Sequence, residues 1–95
     1  MRRLLTVDFD PERPYRKAEQ VELRPEPFGA LAYHFGTRRL SFLKTPTLVD
    51  VVTGLERHDD VHATLDAAGV PEAQRGAYIA ALAELAGTGT IEPRP

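Results

Sequence analysis

The chain predicts an α+β domain, a three-stranded antiparallel meander followed by three helices, and three observations carry that prediction. Between Val21 and Leu43 apolar and polar residues alternate with the period of strands. At Lys44 the apolar spacing switches to that of helices, so strand and helix signals are segregated along the chain. The third observation is size. With 95 residues there is one thin core, and a lone three-stranded sheet is marginal unless helices cover one face.

Residues 1–18 read as an extended arm ahead of a domain spanning 19–95. Pro11, Pro14 and the mixed charges of PERPYRKAE leave no periodicity. Leu4, Leu5, Val7 and Phe9 supply more apolar groups than a disordered tail needs, so an ordered arm and a loose terminus both stay open. In VELRPEPFG, Val21 and Leu23 alternate against Glu22 and Arg24 until Pro25 and Pro27 interrupt, which marks a short or edge strand. ALAYHF places Leu31, Tyr33 and Phe35 on one face and Ala30, Ala32 and His34 on the other. Gly36-Thr37 then suits a two-residue II′ turn, and RRLSFL returns with Leu40 and Phe42 on one face.

Thr45-Pro46 begins the first helix, a hydroxyl cap followed by proline, and Leu48, Val49, Val51, Val52 and Leu55 continue it past the weak point of Gly54. The second helix starts at Asp59 or Asp60, carries Val61 and Leu65, and stops at Gly69. The third opens at Pro71-Glu72 and runs through Tyr78, Ile79, Leu82, Leu85 and Ala86 to Gly87. In the tail TGTIEPRP, Ile91 is positioned to pack back onto the core.

Several function classes lack their parts. The chain has no cysteine, which excludes disulfides, thiolate metal sites and thiol nucleophiles. A net charge of −2 gives no general attraction to nucleic acid or anionic lipid. No stretch approaches a membrane span, and Asp8 and Asp10 interrupt the N-terminus, so a cytoplasmic protein is expected. His58 and His62 have i, i+4 spacing, but no HExxH glutamate accompanies them and no metal is expected there. His34 reads as a partly buried strand histidine. Neither GTRR nor GTGT forms a phosphate loop, and Ser41, the only serine, sits in a strand and not on a GxSxG elbow. Glu22/Glu26 and Asp59/Asp60 are spaced for a surface. An enzyme is not expected, nor any catalytic residue or cofactor.

The positive feature is RRLSFL. As an edge strand it would offer unpaired backbone groups to an incoming peptide, with Arg38 and Arg39 attracting acidic residues. The competing reading makes Leu40 and Phe42 ordinary core residues and the arginines a solvated hairpin end. A DNA-binding winged helix and a small structural oligomer built on open edges are further alternatives. Against the first stands AQRGAYIAALAEL, whose only base is Arg75.

The stretch VELRPEPFGALAYHFGTRRLSFLKTPTLVDVV resembles the signature region of mycofactocin precursor-peptide chaperones, and AAGVPEAQRGAYIAALAELAGTGTI extends the match. That family belongs to the leader-recognition domains of ribosomal peptide natural product pathways, and is similar to the peptide chaperone of pyrroloquinoline quinone synthesis. The resemblance implies a winged-helix-like fold in which the leader of a short precursor adds as a strand beside the third strand, walled by the third helix. On this sequence those elements carry Arg38, Arg39, Leu40, Ser41, Phe42 and Leu43, with Arg75, Tyr78, Ile79 and Leu82 on the helix. The implied partners are the precursor and a radical S-adenosylmethionine maturase that acts on its terminal Val-Tyr pair. Iron–sulfur clusters would belong to that enzyme, since this chain has no cysteine to hold one.

Overall fold

In the computed structural model, which describes residues 9–95, a short strand β1 (Tyr15–Lys17) precedes the meander of β2 (Val21–Glu26), β3 (Gly29–His34) and β4 (Leu40–Leu43). Three helices follow, α1 (Pro46–Gly54), α2 (Val61–Ala67) and α3 (Arg75–Gly87), and β5 (Ile91–Pro93) comes last. The segregated order predicted from the change of period is the order observed. Residues 1–8, the first part of the expected arm, lie outside the described residues.

The meander forms one sheet in the order β2-β3-β4, antiparallel throughout. Ala30, Ala32 and Leu43 turn towards the helices and are buried, with Ser41 half-buried beside them. Leu31, Tyr33, Leu40 and Phe42 therefore share the opposite face, where Leu40 is 60% and Phe42 55% exposed. This corrects the reading of Leu40 and Phe42 as ordinary core. Alternation divides a strand into two faces without saying which is inside. Here the alanines of β3 mark the inner face, because small side chains let the helices approach the sheet closely.

The β3–β4 connection also departs from expectation. It spans residues 35–39, and the left-handed residue is Arg38 (φ 63°), not Gly36. His34 organises it. Its N–H donates to the Arg39 carbonyl (2.9 Å), its carbonyl accepts from Arg38 (2.7 Å), and its Nδ1 accepts from the N–H groups of Gly36 and Thr37. The side chain thus supplies acceptors that a two-residue turn would not need. At the other hairpin, Gly29 lies against the Leu43 carbonyl and the Thr45 backbone, where any Cβ would collide. That close approach ties the end of β4 to the start of α1.

Helix boundaries follow their capping chemistry. Thr45 Oγ1 accepts from Leu48 N–H (3.0 Å) and Pro46 occupies the first turn of α1. Asp60, the second of the two candidates, caps α2 by accepting from Ala63 N–H (2.8 Å), and Gly69 follows with φ 75°. Pro71-Glu72 opens a 3₁₀ turn over Glu72–Gln74 before α3 begins at Arg75. Leu48, Val51, Val52, Leu55, Val61, Leu65, Leu82 and Leu85 bury against Tyr15, Leu43 and Ile91 to make the core.

Ile91 packs back as expected, and does so as part of a strand. β5 pairs antiparallel with β1, Lys17 opposite Ile91, and Arg16 reaches Glu92 at 2.8 Å. Strands of three residues are too short to show periodicity, so the sequence carried no signal for this ribbon.

Candidate functional site

The three-stranded sheet has two outer edges, and they differ chemically. The His34–Arg39 bond sets the phase of the β3–β4 ladder, in which hydrogen-bonded and non-bonded pairs alternate. Ser41 and Leu43 then bond inward to Ala32 and Ala30. Leu40 and Phe42 turn their N–H and C=O groups outward, along an edge that no other strand among the described residues covers. On β2 the same logic, fixed by the Phe35 N–H bond to the Gln20 carbonyl (2.8 Å), turns Val21, Leu23 and Pro25 outward. Val21 is already occupied: its N–H donates to Ala18 (3.1 Å) and its carbonyl accepts from Lys17 Nζ (2.6 Å). Pro25 has no N–H to give. One edge is largely closed to pairing and the other is open.

Beside the open edge, on the helix side of the sheet, lies a groove of about 240 Å³ between β4 and α3. Leu48, Ala77, Tyr78, Ala81 and Leu85 give it an apolar lining, and Phe42 borders it at the strand. Lys44 and Glu84 also line it, so its apolar surface is bracketed by one charge of each sign. Thr45, the α1 cap, shares a hydrogen bond with the Tyr78 hydroxyl (3.3 Å), which fixes the ring across the groove. A second bond between hydroxyls, Ser41 to Thr90 (3.1 Å), anchors β4 to the turn after α3. Arg38, Arg39 and Lys44 are exposed, and none makes an ion pair with another described residue. Three cations without an ion-pair partner among the described residues flank one short strand in a chain whose net charge is −2.

The residues singled out from sequence do not all meet here. Arg38, Arg39, Leu40 and Phe42 lie along the open edge, and Tyr78 lines the groove. Leu43 and Leu82 are fully buried, so they support the groove from beneath. Ile79 packs against the core, outside the lining. Arg75 is turned away and paired with Asp66. Sequence reasoning missed Lys44, Thr45, Leu48, Ala77, Ala81, Glu84 and Leu85. Of these, Ala77, Ala81, Glu84 and Leu85 recur at i, i+4, i+7 and i+8, a helical face that Tyr78 borders and that was readable from spacing; Lys44, Thr45 and Leu48 come together with them only through the tertiary fold.

Other candidates stay apart from this site. His58 precedes α2 and His62 is exposed in its first turn. Among the described residues no group of three or more His, Asp or Glu is placed to hold a metal ion, and no helix is long and apolar enough to cross a membrane.

Comparison with known proteins agrees with the motif. The model of the peptide chaperone MftB family matches residues 14–92, nearly the whole described chain. The chain is 48% identical to the peptide chaperone MftB of Mycobacterium ulcerans (strain Agy99), covering 99% of this chain and 96% of that one. It is 47% identical to that of Mycobacterium tuberculosis, over 98% and 85% of the two chains. The Mycolicibacterium smegmatis protein of the same name is 49% identical, over 92% and 85%. No solved structure matches to a significant degree. These matches span strands, helices and the terminal ribbon alike, and the chain belongs to the peptide chaperone MftB family, whose members are binding proteins and not enzymes.

Proposed function

We propose that the chain captures the leader of a ribosomally made precursor as a fourth strand on β4 and presents it to a radical S-adenosylmethionine maturase in mycofactocin biosynthesis. The observation that carries this reading is the asymmetry of the two sheet edges. Strand addition needs outward backbone groups with no partner, and β4 offers those of Leu40 and Phe42 beside an apolar groove. Backbone pairing supplies sequence-tolerant affinity. The groove over Tyr78, Ala81 and Leu85 takes inward side chains of the peptide, and Arg38, Arg39 and Lys44 favour acidic residues at its ends. The chain contributes no bond-making chemistry. It raises the effective concentration of precursor at the maturase, in the cytoplasm where the precursor is made.

The test is a titration of isotopically labelled protein with the synthetic leader of a mycofactocin precursor peptide. Saturable binding with amide shifts concentrated on residues 38–44 and on α3 around Tyr78 is the expected result. Absence of binding at high micromolar peptide, with the maturase also present, refutes the reading.

A further inference from the structure

Across the groove β4 and α3 run in opposite directions, and among the described residues two hydrogen bonds tie one side to the other. Thr45, just past β4, meets the Tyr78 hydroxyl in the first turn of α3 (3.3 Å). Ser41, near the start of β4, meets Thr90 just beyond the end of α3 (3.1 Å). About 13 Å of strand separates the two ties, room for two inward side chains of an added peptide. The Tyr78 tie is exposed, whereas Thr90 is one of two buried polar residues among those described. The other, Thr64, donates its hydroxyl to the Asp60 carbonyl one turn back, as helical threonines commonly do. The Thr90 hydroxyl instead joins separate elements.

Proton counting gives its contacts a direction. Thr88 Oγ1 donates to the Leu85 carbonyl (3.1 Å), because a carbonyl only accepts. A hydroxyl has one proton, so in the Thr88–Thr90 bond (2.9 Å) the donor is Thr90. Thr90 then has no proton left for Ser41, and Ser41 donates to it. A row of three hydroxyls thus runs from Ser41 through Thr90 and Thr88 to the Leu85 carbonyl, from the open strand to a residue of the groove wall. The Thr90 backbone is itself held, its N–H on the Leu85 carbonyl (2.8 Å) and its carbonyl on the Ala18 N–H (3.0 Å). What the hydroxyl holds is therefore β4. Of the four residues of that strand only Leu43 is buried. Beyond the ladder to β3, packing fixes the end of β4 near Thr45 and leaves its start to the hydroxyl row.

Resting on the reading of β4 as the leader edge, we infer that Thr90 is a positioning residue for leader recognition. Its hydroxyl sets the separation of β4 from α3, so a strand added on β4 meets a groove already open between Tyr78 and Leu85. A site shaped beforehand lowers the ordering cost of binding. Thr90 is absent from the groove lining, so its effect passes through Ser41 and Leu85.

Thr90→Val and Thr90→Ser separate this from a merely structural role. Valine keeps the shape and removes the hydroxyl; serine keeps the hydroxyl and removes the methyl. Both are expected to lower Tm by up to about 8 °C, valine through the lost bonds and serine through the lost methyl. Each is titrated calorimetrically with the synthetic leader of a mycofactocin precursor peptide, at a temperature where circular dichroism shows it folded. Leader affinity should fall about five- to tenfold in Thr90→Val and stay within about twofold of wild type in Thr90→Ser. Ser41→Ala removes the head of the row and should match the valine variant. The double variant should lose no more than either alone, since both changes break one row. Wild-type affinity in Thr90→Val overturns the inference. Equal losses in the valine and serine variants overturn it as well, because affinity then follows stability. Additive losses in the double variant also overturn it, by showing that the two hydroxyls act apart. A wild type that fails to bind leader is recognised before any variant is made, and sinks the strand-addition reading together with this inference.

Discussion

Proline at position 42 should weaken leader capture strongly and leave the fold standing, whereas proline one residue earlier should destabilise the fold itself. The decisive difference between the two positions is the direction of the backbone N–H. That of Phe42 points to the open edge and has no partner within the sheet; that of Ser41 bonds inward to Ala32. Proline is tolerated on an edge strand when the missing N–H would have faced solvent. Phe42→Pro therefore removes one bond to the added strand and leaves a peptide carbonyl unsatisfied. The lost bond is worth about 1 kcal/mol and the stranded carbonyl about 1–3 kcal/mol. A loss of roughly 2–4 kcal/mol lowers affinity about thirty- to several-hundred-fold. Ser41→Pro instead breaks a ladder bond within the protein, at about 2–3 kcal/mol, which in a domain this small lowers Tm by roughly 10–20 °C.

Calorimetric titration with the leader and thermal unfolding by circular dichroism read the two effects separately. Phe42→Ala is the necessary control, because the ring also stacks near Phe28 and borders the groove. Only the difference between the alanine and proline variants reports the N–H. If Phe42→Pro binds as Phe42→Ala does, the leader is not a strand on this edge. If Ser41→Pro keeps the wild-type Tm, the ladder phase deduced from His34 and Arg39 is wrong.

Replacing Arg38, Arg39 and Lys44 together by alanine should weaken leader binding about tenfold at low salt, at a few tenths to 1 kcal/mol per exposed pair, with the difference fading by half-molar salt; titration at two ionic strengths checks it. Gly29→Ala should destabilise the domain by about 1–3 kcal/mol, because the added methyl meets the Leu43 carbonyl and the Thr45 backbone, which cannot swing away as a side chain does. Denaturant unfolding measures that cost, and a neutral result would remove the close approach from the account of how β4 is seated. Arg75→Ala should leave leader affinity within about twofold and lower stability by no more than about 1 kcal/mol, since the guanidinium is occupied by an exposed Asp66 and absent from the groove lining. A large affinity loss would return Arg75 to the binding surface.

The architecture was legible because each transition has a local cause. Thr45-Pro46 and Asp60 mark helix starts by capping, Gly69 closes α2, and the change of period at Lys44 separates sheet from helices. Three things were not legible. β1 and β5 exist only because each has the other 76 residues away, as the Arg16–Glu92 contact shows. The inward face of β4 depends on which side the helices approach, and a period of two cannot encode that. The Gly36 turn failed because His34 supplies side-chain acceptors that stabilise a longer loop, leaving Arg38 in the left-handed region. The site divides in the same way. RRLSFL located the strand, but spacing on α3 could not tell the groove-facing Tyr78 from the buried Leu82, because the helix is apolar almost all round.

An open edge flanked by exposed apolar side chains is ordinarily a route to self-association, and the charges around β4 bear on whether a second copy can use this one. In the register of greatest overlap, two copies pairing antiparallel through β4 set Leu40 of one opposite Phe42 of the other, since those residues carry the outward groups. That register sets Arg38 against Lys44 at both ends, and Arg39 adds a third like charge nearby. Like charges placed opposite one another across a strand pair oppose pairing, by a few tenths to 1 kcal/mol each. The same residues attract an acidic peptide, so one set of side chains discourages the copy and favours the ligand. β2 solves its own edge by other means, with Lys17 on the Val21 carbonyl and Pro25 lacking a donor. Had both edges been closed in that way, the sheet would be stable and useless for capture. Had both been guarded only by charge, it would accept a strand on either side. On the proposed reading, the asymmetry would confine strand addition to the one edge that lies beside the groove.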